Sequence, residues 1–80
     1  MGKVQDLTLW YRDKRGFEHG PVRVTVDPTN DVALRAFLID MIKEHDRYTH
    51  DKAVKEIANH TMDVCPRGSR TPIRKFQAAE

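Results

Sequence analysis

Apolar and polar positions alternate twice near the start of the chain. Leu7, Leu9 and Tyr11 interleave with Asp6, Thr8 and Trp10, and Val22, Val24 and Val26 are separated by Arg23 and Thr25. A period of two marks strands with one buried face, so Val4 to Val26 is predicted to form a β-hairpin. Between the strands, Asp13-Lys14-Arg15-Gly16 suits a type I turn with Gly16 in the left-handed position. Phe17 and His19 fall on odd positions and the three valines on even ones, so one extra residue must be absorbed between them. Gly20-Pro21 marks that bulge or edge.

The period then changes. Asp27-Pro28-Thr29-Asn30 ends the hairpin and offers Thr29 or Asn30 as a cap for free N–H groups, with Asp31 favourable at the positive helix end. At about 100° per residue, Leu34, Phe37, Leu38, Met41, Ile42, His45 and Tyr48 share an arc of roughly 140°, with Arg35, Asp40, Lys43, Asp46 and Arg47 outside it. Thr49 suits the cap of a second helix, in which Ala53, Val54, Ile57, Ala58 and Thr61 share one side. Pro66, Gly68 and Pro72 argue against its continuation, and Thr71 to Phe76 fits either a short third strand or a loose basic tail. The expected fold is α+β: a β-hairpin followed by two packed helices (ββαα), both on one face of the hairpin, with that third C-terminal strand as the variant. Residues 1–64 form the expected compact domain and 65–80 a basic C-terminal segment.

Composition narrows the class. Eighty residues, 39% apolar and 32% charged, suffice for one small core and exclude a two-domain enzyme. The longest apolar run, Ala36-Phe37-Leu38-Ile39, is far short of the about 20 residues of a membrane span, and Met1 to Asp6 contains no signal-peptide apolar region. A single cysteine, Cys65, favours a reducing compartment, so a cytoplasmic location is expected. The net charge of +2 is spread unevenly: +1 over residues 1–30, −2 over 31–64 and +3 over 65–80.

Candidate chemistry is sparse. His50, His60 and Cys65 are the residue types that bind zinc, but spacings of ten and five match no compact ligand pair, so no metal or other cofactor is expected. His45 lies within the first helix's apolar arc, as a core-edge residue does. Cys65 with His60 and Asp63 is the best nucleophile set, yet proximity in sequence establishes neither a base in reach nor an oxyanion site. Asp40 and Glu44, interleaved with Lys43 and Arg47, have the pattern of a solvated helix face. No enzyme activity is expected.

Two surfaces remain. Lys55-Glu56-Ile57-Ala58 followed by the basic Ser69-Arg70-Thr71 segment resembles the positioning and recognition helices of small DNA-binding domains. It departs from them at Met62, where the turn glycine would stand, and at Pro66, Gly68 and Pro72 within the second helix. Arg67, Arg70, Arg74 and Lys75, joined by Lys14 and Arg15, are the groups that would contact phosphates. The second surface is on the hairpin. With Leu7, Leu9 and Tyr11 inward, Trp10 and Arg12 point to the opposite face beside Arg23, a composition common at interfaces, unless Ile73 or Phe76 of the C-terminal segment covers it. The leading expectation is a non-enzymatic protein-binding module (inhibitor, adaptor or subunit) that uses Trp10, Arg12 and Arg23, with homodimerisation open. Nucleic-acid binding through the basic segment is the alternative.

Overall fold

The computed structural model describes residues 3–78 as a two-layer α+β domain. Strands β1 (Gln5–Arg12) and β2 (Glu18–Val26) are followed by helices α1 (Asp31–Asp46) and α2 (His50–Glu56) and a 3-10 turn at Ile57–Asn59. Strands β3 (Thr61–Pro66) and β4 (Arg74–Phe76) complete the order ββααββ. The sheet runs β2-β1-β3-β4 with every neighbouring pair antiparallel.

The hairpin forms where the alternation places it. Gly16 sits at φ 87°, and the Asp13 carbonyl accepts from the Gly16 N–H while Asp13 Oδ1 accepts from the Arg15 and Phe17 N–H groups. Register shifts between Leu9, opposite Val22, and Tyr11, opposite His19, so Trp10 alone faces Gly20 and Pro21. This bulge absorbs the extra residue, and it brings His19 onto the same face as the valines. Gly20 has φ 142°, and a Cβ there would lie 2.8 Å from the Leu9 carbonyl oxygen. Only glycine fits that approach without displacing the backbone.

Both predicted caps are present: Asn30 Oδ1 accepts from the Ala33 N–H at 3.1 Å, and Thr49 Oγ1 from the Lys52 N–H at 3.3 Å. Helix α1 buries Leu34, Leu38, Ile39, Met41 and Ile42 against Leu7, Leu9, Tyr11, Val26, Met62 and Val64 of the sheet. Among the described residues fifteen make one core, which also takes in Ala53, Ile57, Phe76 and Ala78. No described helix is long and apolar enough to cross a membrane.

The second half differs from the expected ββαα order. Helix α2 ends at Glu56 instead of running through Thr61: the chain tightens into the 3-10 turn, which the His60 N–H closes by donating to the Ile57 carbonyl at 3.2 Å, while His60 Nδ1 lies 2.9 Å from the Glu56 carbonyl. Thr61 then opens β3, an interior strand between β1 and β4. The C-terminal strand anticipated within 71–76 is therefore the fourth, confined to Arg74–Phe76. A division at 64/65 falls inside β3, and both Phe76 and Ala78 beyond it are core residues. The segment that resembles a recognition helix forms the end of β3, a loop and β4.

Candidate functional site

The core residues of α1, with Ala53 of α2, join the sheet face that bears Leu7, Leu9 and Tyr11, and among the described residues no helix or further strand is layered on the opposite face. Strand alternation projects Thr8, Trp10 and Arg12 from β1 onto that open face, with Arg23 and Thr25 from β2, Thr61 and Asp63 from β3 and Lys75 from β4. Trp10, Arg12 and Arg23 thus share one surface, as expected from the hairpin pattern. Trp10 is half-buried rather than bare, because the Arg67–Ile73 loop folds over the sheet and lays the Arg70 guanidinium 4.6 Å from the ring centroid. Ile73 is exposed and Phe76 faces the core, so neither provides the cover.

Arg70 organises this face. Its Nη1 donates to Asp63 Oδ2 at 3.2 Å and approaches Cys65 Sγ at 3.4 Å, and its Nη2 pairs with Glu18, which also meets Arg12 at 3.5 Å. Two hollows flank Trp10. One, of about 340 Å³, includes Arg12, Glu18, Asp63 and Lys75 in its wall; the other, of about 290 Å³, includes Thr8, Pro21, Arg23 and Arg70. Trp10 belongs to both. Arg23 and Lys75 make no ion pair among the described residues, leaving two uncompensated cations on the face.

The four basic residues proposed for nucleic acid do not form one surface. Arg67 pairs with Asp6 at 3.5 Å, and Arg70 is held as above. Arg74 and Lys75 are adjacent in a strand and point to opposite faces. Arg74 reaches the start of α1 instead, donating to the Pro28 carbonyl at 2.8 Å and meeting Asp31 at 2.7 Å. Lys14 and Arg15 are in the β1–β2 turn, at the end of the sheet remote from Arg67.

Cys65, His60 and Asp63 do not converge into a nucleophilic set. The Cys65 thiol is fully buried beneath the loop with the Arg70 carbonyl 3.5 Å away, whereas the two His60 nitrogens face Glu56 and Asp46. His50 is exposed at the start of α2, so His50, His60 and Cys65 are not a ligand set either.

A polar cluster that the spacing of these residues does not announce lies at the hairpin-turn end of the helix-bearing face. Tyr11 is fully buried there; its ring stacks on His19 at 4.7 Å between centroids and has His60 at 5.6 Å and His45 at 5.7 Å. His45, at the solvent edge, stacks on His19 at 5.2 Å. His19 Nε2 lies 3.1 Å from Asp13 Oδ2, and His60 Nε2 lies 3.6 Å from Asp46 Oδ2. Burial, then the Asp46 and Asp13 carboxylates and Tyr48, push ionisation of the Tyr11 hydroxyl above the ordinary tyrosine range. Burial alone would raise the Asp13 carboxyl; the His19 ring and the N–H groups of Phe17 and Arg15 outweigh it and hold the group below the usual carboxylate range.

Comparison with protein-family models, curated proteins and solved structures gives no match for this chain, so its own geometry is what bears on function.

Proposed function

We propose that this chain is a non-enzymatic binding module that docks a protein partner on the open sheet face around Trp10, Arg12 and Arg23. The observation that carries the reading is Trp10 itself, an aromatic side chain among mostly polar neighbours that forms a shared wall of two adjacent hollows. Interface hot spots are enriched in Trp and Arg set in such hollows and ringed by polar residues. Strands about 4.8 Å apart and rising about 3.3 Å per residue give a face of about 400–500 Å². A standard interface takes about 800 Å² from each partner, so the contact would extend onto the Arg67–Ile73 loop and the exposed edge of β2. The unpaired Arg23 and Lys75 favour a partner with an acidic rim, because complementary rim charge steers encounter and selects partners. A cytoplasmic setting belongs to the same reading, supported by a lone cysteine held as a buried thiol.

Site-specific photo-crosslinking tests this. A photoreactive residue at Arg23 is expected to give a discrete protein adduct in extract of the source cells, and one at Val32, exposed on α1, is expected to give none. The Arg23 adduct is expected to disappear in the Trp10→Ala background. Equal adducts from both positions, or an adduct indifferent to Trp10→Ala, would refute the docking face. Adducts to a second copy of the chain would identify the partner as itself.

A further inference from the structure

We propose that Asp13, His19 and Asp46 form a binding site for a divalent transition-metal ion, best suited to zinc, beside the buried Tyr11 ring that stacks on His19. One ligand atom from each of the three residues lies within 4.8 Å of the other two. Zinc takes imidazole nitrogen and carboxylate oxygen at about 2.0–2.2 Å, which sets neighbouring donor atoms about 3–3.6 Å apart. The 3.1 Å separation of His19 Nε2 and Asp13 Oδ2 already falls in that range. A side-chain rotation closing about 1 Å brings Asp46 into the same shell. One imidazole and two carboxylates favour zinc, iron or manganese over calcium, and two negative charges balance a dication.

A further observation points to a cation here, at Tyr11. Its side chain is fully buried, its ring stacks on His19 at 4.7 Å, and its hydroxyl has no hydrogen-bond partner among the described residues. A buried hydroxyl left unpaired is costly, and a metal ion or its bound water would satisfy the oxygen lone pairs.

A cavity of about 20 Å³ opens onto Asp13, Asp46, Tyr48 and His60. That is room for about one water-sized sphere, enough for an ion to enter but not for a small organic ligand. Lys14 and Arg15 also border the cavity, the Lys14 ammonium lying 4.0 Å from Glu56, while His19 approaches Asp13 from outside its wall. Asp13 comes from the β1–β2 turn, His19 from β2 and Asp46 from the last residue of α1, so the ion would tie the hairpin to the helical layer. For a chain of 80 residues such a staple is a substantial addition to a small core.

The test uses the full chain without an affinity tag, stripped with a chelator and titrated with zinc chloride by calorimetry and thermal unfolding. One equivalent is expected to bind, with the melting temperature rising about 10 °C or more at a hundredfold excess over Kd. His19→Ala and Asp46→Asn are each expected to weaken binding about tenfold or more. His50→Gln, in a separate hollow with Val32 and Arg35, is expected to leave it unchanged. Should either ligand variant fail to fold, Mn²⁺ added to the unaltered protein is expected to broaden the NMR signals of Asp13, His19 and Asp46 before those of Trp10 or Arg23. Absence of zinc binding at millimolar metal, an isotherm unchanged by both ligand variants, or broadening centred elsewhere would overturn the proposal.

Discussion

Replacing Tyr11 by Phe should stabilise the metal-free protein, although Tyr11 is among the most buried side chains of the core. The ring stays in place, stacked on His19 at 4.7 Å, so packing is retained and only the hydroxyl is lost. That hydroxyl has no hydrogen-bond partner among the described residues, and leaving such a group unsatisfied costs about 1–3 kcal/mol, which the substitution returns. For a domain of this size each kcal/mol moves the melting temperature by about 4–8 °C, so a rise of about 4 °C or more is expected. Chelator-treated Tyr11→Phe and unaltered protein should be compared by calorimetric melting and by urea titration with a common m-value. With zinc present the advantage should shrink or reverse, because the hydroxyl then has a partner. A Tyr11→Phe variant less stable than the parent in the absence of metal would show that the hydroxyl is already satisfied, and the argument from its burial would fail.

Other expectations follow from single contacts. Gly20→Ala should destabilise by about 1–3 kcal/mol, since the residue must keep φ 142° with its Cβ 2.8 Å from the Leu9 carbonyl; urea unfolding measures this, and a neutral result would contradict the bulge geometry. Asp27 accepts from the Thr29 N–H and hydroxyl, which lower its carboxyl in the folded chain, so its stabilisation is present above the unfolded-state value near about 4 and is lost as pH falls below it. Asp27→Asn should therefore flatten the acid limb of a stability–pH profile, and an unchanged limb would contradict the turn contact. Replacing Arg67, Arg70, Arg74 and Lys75 by Ala should change duplex-DNA affinity and its salt dependence little, as these groups are paired or on different faces. A log–log salt slope that flattens by several units would favour the nucleic-acid reading instead, at about 0.9 per phosphate contact.

Local chemistry was legible in the sequence. The Asp13–Gly16 turn, the bulge at Gly20-Pro21 and the Asn30 and Thr49 caps each depend on residues within a few positions of one another, and each is present; the apolar arc of α1 holds for Leu34, Leu38, Met41 and Ile42, while Ile39 is also buried, His45 is exposed and Tyr48 lies beyond the helix. The missed strand β3 had little signal of its own. Thr61 continues the small-residue face of α2, and the alternation of Met62 and Val64 with Thr61 and Asp63 lasts only four residues before Cys65, buried on the outer side by a loop, breaks it. Helix α2 gives way to a 3-10 turn in which His60 contacts the Ile57 and Glu56 carbonyls, which no periodicity reports. The Asp13–His19–Asp46 cluster depends on topology, since α1 must run back up the sheet before Asp46 meets the hairpin turn. One half was within reach: the parity argument that required the bulge also turns His19 inward beside Tyr11. The Trp10 face was visible from alternation alone, whereas its Arg70 cover requires the loop's path over the sheet.

The most direct test of the docking face is a paired measurement on Trp10→Ala: thermal unfolding of the isolated variant, and affinity for the protein captured by crosslinking from Arg23. Trp10 is half-buried and outside the core cluster, so a small fall in melting temperature is expected together with a loss of affinity of about 2 kcal/mol or more, roughly thirtyfold in Kd. A large fall in melting temperature with unchanged affinity would make Trp10 a structural residue and contradict the assignment of this face to partner binding.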